Sequence, residues 1–135
     1  MIYRSSRLIS KLETPALANV NTTYNNTTTS ANSEDVEVTA FRRFTVLYTL
    51  DSGGSGAHVI QFIIQKKDIA GNYFDMLDDA WGLYKMEDTN YATALNESYG
   101  GQLKGASIIR IRVVASGTTA GLTFVITNMK FILES

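Results

Sequence analysis

The 135-residue sequence has no cysteine, one proline, one histidine and one tryptophan. Without thiols there is no disulfide framework and no thiolate metal site, a usage that fits a reducing cytoplasm. A catalytic triad would have to be built on His58, which follows a Gly-rich turn and begins a strand. No nucleophile elbow accompanies it, so an ordinary surface histidine is expected there. Long apolar runs are missing too. No segment approaches the ~20 apolar residues that span a bilayer. None of signal-peptide length follows the basic start "MIYRSSRLISKLE". Neither charge sign dominates: Lys+Arg 12 against Asp+Glu 13 gives a formal net charge of -1. No global field draws in nucleic acid or anionic lipid, and neither is expected as a partner. The Gly-rich runs "DSGGSG" and "YGGQLKG" lack phosphate-loop spacing and read as turns.

What the chain does have is polar length. In "NVNTTYNNTTTSANSE", residues 19–34, twelve of sixteen residues are Asn, Thr or Ser. Such side chains compete for backbone hydrogen bonds and bury little apolar surface. Alone, the run cannot offset its ordering entropy, roughly 1–2 kcal/mol per residue for the backbone. It needs a partner surface to hold it still. Ahead of it Ile2, Leu8, Ile9 and Leu12 show a weak helical period that Pro15 would end. Residues 1–35 are therefore expected to be an extended N-terminal arm that makes few contacts within its own domain and packs on other chains. Residues 36–135 are expected to be the folded domain.

From Val36 the period becomes two, the mark of strands. "VEVTAF" alternates, and "RFTVLYTL" puts Phe44, Val46, Tyr48 and Leu50 on one face. "HVIQFIIQKKD" puts Ile60, Phe62 and Ile64 inward and Gln61 and Gln65 outward. A turn at Ala70–Asn72 precedes a short strand, and another short strand is placed around Trp81–Met86. Residues 88–106 read as loop-rich, with a short helix over Ala92–Glu97. "SIIRIRVVA" sets Ile109, Ile111, Val113 and Ala115 against Arg110 and Arg112. In "LTFVITNMKFIL" the apolar face changes hands near Asn128, as an inserted bulge residue would cause. Seven or eight strands with short turns predict an all-β fold: an antiparallel β-sandwich of jelly-roll topology, with an up-and-down barrel as the second choice.

Chemistry is sparse. Asp75, Asp78, Asp79, Glu87 and Asp88 crowd into fourteen residues. Paired acids hydrolyse glycosides and oxygen clusters bind calcium, but the spacing matches neither and a solvated acidic rim is expected. No cofactor and no metal are expected. Tyr73, Phe74, Trp81, Tyr84, Tyr91 and Tyr99 lie within 27 residues. Trp81, Tyr84, Tyr91 and Tyr99 are the candidate platform for a ligand or partner, with Trp81 and Phe74 alternatively in the core. Arg110 and Arg112 project to one face of a strand, and with Arg4 and Arg7 are candidate subunit contacts. Sequons begin at Asn21, Asn25, Asn26 and Asn96, as Asn/Thr-rich sequence generates by chance.

A basic start ("MIYRSSRLISK"), a polar Asn/Thr spacer and a compact sandwich ending at "MKFILES" together resemble, in layout, the small decoration or cement proteins of tailed-bacteriophage heads. The resemblance implies a non-enzymatic virion structural protein, made in the host cytoplasm and placed on the capsid surface. It implies binding to the major capsid protein or another virion protein, as a homo-oligomer with a trimer favoured. The alternative is a carbohydrate-binding module, or the receptor-binding domain of a virion fibre, using the aromatic platform. An enzyme working through two of Asp75, Asp79 and Asp88 ranks third.

Overall fold

The computed structural model describes residues 11–53, 58–76, 83–88, 95–116 and 123–135. Those residues contain eleven strands and no helix: β1 (Lys11–Glu13), β2 (Thr23–Tyr24), β3 (Ser30–Asn32), β4 (Val36–Glu37), β5 (Arg43–Gly53), β6 (His58–Lys67), β7 (Tyr73–Asp75), β8 (Leu83–Asp88), β9 (Leu95–Gln102), β10 (Ile108–Ser116) and β11 (Thr123–Glu134). They form two antiparallel sheets packed as a jelly-roll sandwich. One has the order β1-β11-β5-β9, with β2 also on β11. The other has the order β3-β10-β6-β7, with β4 also on β10 and β8 on β6.

The alternating residues do what their period requires. Phe44, Val46, Tyr48 and Leu50 of β5 meet Ile60, Phe62 and Ile64 of β6 and Ile109, Ile111 and Val113 of β10 in one core. Tyr48 and Phe62 join the two sheets edge to face, with ring centroids 4.8 Å apart. On β11 the buried residues are Phe124 and Ile126, then Met129, Phe131 and Leu133. The change of parity is a bulge, since the register steps from Thr127↔Thr49 to Lys130↔Leu47. Asn128 takes the left-handed conformation there, at φ 58°, which Asn tolerates better than most residues.

One expectation fails for a definable reason. The helix over Ala92–Glu97 gives way to a strand: β9 begins at Leu95 and pairs with β5 from Leu50↔Leu95 to Arg43↔Gln102. Its glycines are strand residues, not loop residues. A Cβ on Gly100 would stand 2.5 Å from the Phe44 carbonyl oxygen, so only glycine fits that approach. Of the N-terminal helical period, Ile2, Leu8 and Ile9 lie outside the described residues, and Leu12 stands in a strand on β11.

The larger correction concerns the arm. Residues 11–35 pack on their own sheets, and the few contacts expected within the domain are in fact many. The segment runs antiparallel along the free edge of β11, then crosses to run antiparallel along the free edge of β10. Leu17, Val20 and Tyr24 enter the core. Polar side chains complete the backbone bonding where the short strands pause. The N–H of Phe131 donates to Thr14 Oγ1 at 2.9 Å, and Thr14 returns its own N–H to the Phe131 carbonyl. Ser33 does the same on β10: Ile111 N–H donates to Ser33 Oγ at 2.9 Å, and Ser33 N–H to the Ile111 carbonyl. Asn21 braces the bulge, accepting the Met129 N–H at 2.7 Å and donating to the Met129 carbonyl at 3.2 Å. The partner surface that the Asn/Thr run needs is thus the pair of sheet edges in the same chain, which would otherwise stand unpaired.

Candidate binding groove and the network behind it

The hairpin from β6 to β7 turns at Asp68–Asn72. Asp68 N–H donates to the Asn72 carbonyl, and Gly71, at φ 94°, closes the turn. The Asp68 carboxylate accepts the Asn72 N–H at 2.8 Å. This backbone bond leads the contributions that hold its carboxyl below the usual range. Ile69 stands at the tip, fully exposed.

Across the outer face of the β6 sheet a polar network locks β7 in place. Gln65, only 6% exposed, donates to Asp75 at 2.8 Å and accepts from Arg110 Nε at 2.8 Å. The Arg110 guanidinium carbon lies 3.4 Å from the centroid of the Tyr73 ring, a cation–π contact. The Tyr73 hydroxyl donates to Asp35 at 2.7 Å, and Lys67 reaches the same carboxylate at 2.9 Å. Partial burial works against ionisation of Asp35. The hydrogen bonds from Tyr73 and Lys67, with the charges of Lys67 and Arg110, outweigh it and hold the carboxyl below its ordinary value. Hydrogen bonding to Asp35 raises Lys67 in turn.

Because strand side chains alternate, fixing Tyr73 and Asp75 outside sends Phe74 to the opposite face. That face belongs to the sandwich interior, but the core ends one step earlier, at Ile64. Phe74 is left 51% exposed. It lines an open groove of about 860 Å³ with Lys66, Lys67, Asp68, Ile69, Ala70 and the 105–108 turn. The expectation that Phe74 belongs to the core is corrected: its ring is presented at the mouth of the sandwich.

The other sequence candidates separate. Trp81 and Tyr91 lie outside the described residues, as do Arg4, Arg7, Asp78 and Asp79. Tyr84 pairs with Phe62 on one sheet and Tyr99 with Val46 on the other, so these two do not share a sheet. His58 opens β6 opposite Asp88, next to the pair Val59↔Glu87. Arg110 and Arg112 do share the outer face of β10; Arg112 is exposed, while Arg110 is engaged by Gln65 and Tyr73 of its own chain. Asp75 is held by Gln65. Among the described residues, no three His, Cys, Asp or Glu side chains gather to hold a metal ion, and no helix is long and apolar enough to cross a membrane.

Lys66 was not among the candidates and Phe74 was not placed in the platform, although the sequence carries a signal for both. Ile60, Phe62 and Ile64 are followed in the same parity by a lysine, which marks where the interior face meets solvent.

No protein-family model and no curated protein matches the sequence. Solved structures do share the fold. A family 35 carbohydrate-binding module from Clostridium thermocellum is 10% identical with TM-score 0.50, over 93% of this chain and 99% of that one. TmCBM61, in complex with β-1,4-galactotriose, is 16% identical with TM-score 0.50, over 92% of this chain and 69% of that one. A structure of infectious bursal disease virus, Gx strain, is 11% identical with TM-score 0.55, over 92% of this chain and 32% of that one. What is common to all three and this chain is the β-sandwich.

Proposed function

We propose that the chain is a non-catalytic binding module that takes carbohydrate in the groove beside Phe74. The observation that carries this reading is the Phe74 ring, held half-exposed at an open groove by a network on the opposite face of its strand. The CH groups of a pyranose face pack on the negative face of an aromatic ring. A concave apolar surface with a few fixed polar groups orients such a ligand. Lys66 and Ser107 are polar side chains along this groove. The carbohydrate-binding modules that share the sandwich support the ligand class by analogy of fold. A glycan array probed with the wild-type protein and with Phe74→Ala tests it. Binding to a defined set of glycans that disappears in the variant is expected. Binding to no glycan, or binding indifferent to Phe74, contradicts it.

Placement on a virion, as a capsid decoration protein or the receptor-binding domain of a fibre, ranks second. Its support is the sandwich in common with the infectious bursal disease virus structure and the layout of the N-terminal sequence. The physical premise of the decoration reading is an arm free to pack on other chains, and residues 11–35 are engaged on their own sheets instead. Light scattering discriminates, since a stable trimer favours the virion role and a monomer the solitary module.

A further inference from the structure

We infer that the groove selects acidic saccharides, with Lys66 taking the sugar carboxylate while Phe74 takes the ring; this rests on the carbohydrate reading above. Lys66 and Phe74 are register partners across β6 and β7, so they stand side by side on one face. Lys66 also pairs with Ile109 of β10, which is fully buried. The row therefore runs from the buried Ile109 through the exposed Lys66 to the half-exposed Phe74.

The charges lining the groove are not equivalent. Lys67 lies on the alternate face and is bound to Asp35 at 2.9 Å. Asp68 is turned into its own hairpin, on the Asn72 N–H. Among the described residues Lys66 makes no ion pair, so the groove offers one unmatched cation next to its aromatic ring. A hexuronate is complementary to that pair: an apolar ring face with a carboxylate at its edge. A neutral hexose of the same ring geometry satisfies only Phe74.

Calorimetric titration of the full chain tests the inference. The probes are oligosaccharides of galacturonate, glucuronate and mannuronate, each beside its neutral hexose counterpart. The expected result is a preference of about five- to tenfold for an acidic oligomer, the worth of one net hydrogen bond in a solvent-exposed groove. That preference should shrink at high salt. Lys66→Gln should abolish the preference while leaving the melting temperature unchanged, and Phe74→Ala should weaken acidic and neutral oligomers alike. Equal affinities for each acidic and neutral pair, or a preference that survives Lys66→Gln, overturn the charge inference but leave the carbohydrate site standing. Binding to neither kind overturns both.

Discussion

The hydroxyl of Tyr73 donates to the carboxylate of Asp35 at 2.7 Å, across 38 positions of sequence. Asp35 ends the polar N-terminal segment and Tyr73 begins the strand that carries Phe74. The segment that clasps the sheet edges therefore also fixes the groove. Asp35→Ala is expected to weaken saccharide binding several-fold without altering a groove residue, because β7 loses Tyr73's anchor and the Lys67 ion pair together. Hydrogen exchange at β7 amides should rise in the same variant. Unchanged affinity with unchanged exchange contradicts the coupling.

The clasp makes a sharper stability prediction. Ser33→Ala removes the acceptor of the Ile111 N–H, and Thr14→Val removes that of the Phe131 N–H. Each leaves a buried backbone donor unpaired, at a cost of about 1–3 kcal/mol. Ser30, exposed on β3, is the control: its alanine variant should fall within about 0.5 kcal/mol of wild type. Urea denaturation measures all three. Equal, small effects at Ser33 and Ser30 would show that the edge is satisfied by other means.

Acid should loosen the clasp before it loosens the core. Burial opposes ionisation of Glu34, yet hydrogen bonds from its own backbone and from the Asn19 and Ala18 N–H groups hold its carboxyl below the ordinary value. Asp35 is lowered as well. A depressed folded value means that the ionised form stabilises the fold. That stability is complete above the unfolded carboxylate values, about 4, and is lost as pH falls through the lower folded ones. Lys67 is raised, so its share persists below the unfolded lysine value, about 10.4, and is lost only as pH rises through the higher folded one. Denaturation midpoints measured across pH should therefore form a plateau between those limits. The double variant Glu34→Gln, Asp35→Asn should flatten the acid limb.

The long strands were legible because packing leaves a periodic trace. Phe44 to Leu50, Ile60 to Ile64 and Ile109 to Ala115 alternate over several residues, and the parity change at Asn128 showed the bulge. The N-terminal segment left no such trace. Thr14, Asn21 and Ser33 act through single bonds to residues 117, 108 and 78 positions away. A side-chain oxygen that replaces a carbonyl has no period. Leu17 just ahead of the polar run, and Val20 and Tyr24 within it, were the warning: three bulky residues that a solvated arm has no use for. The groove was half legible. The turn at Ala70–Asn72 and the following strand could be placed, but the exposure of Phe74 depends on where the core stops. That follows from the register of β7 on β6, which one sequence does not specify.

The most direct test of the Phe74 groove as a saccharide site is a chemical-shift map of the amide-labelled protein titrated with a galacturonate oligomer and with galactotriose. The account predicts that saturable shifts cluster at residues 66–74 and 105–108, and that Phe74→Ala removes them. Saturable shifts confined to β8 and β9, around Tyr84 and Tyr99, with the groove amides unmoved, would contradict it.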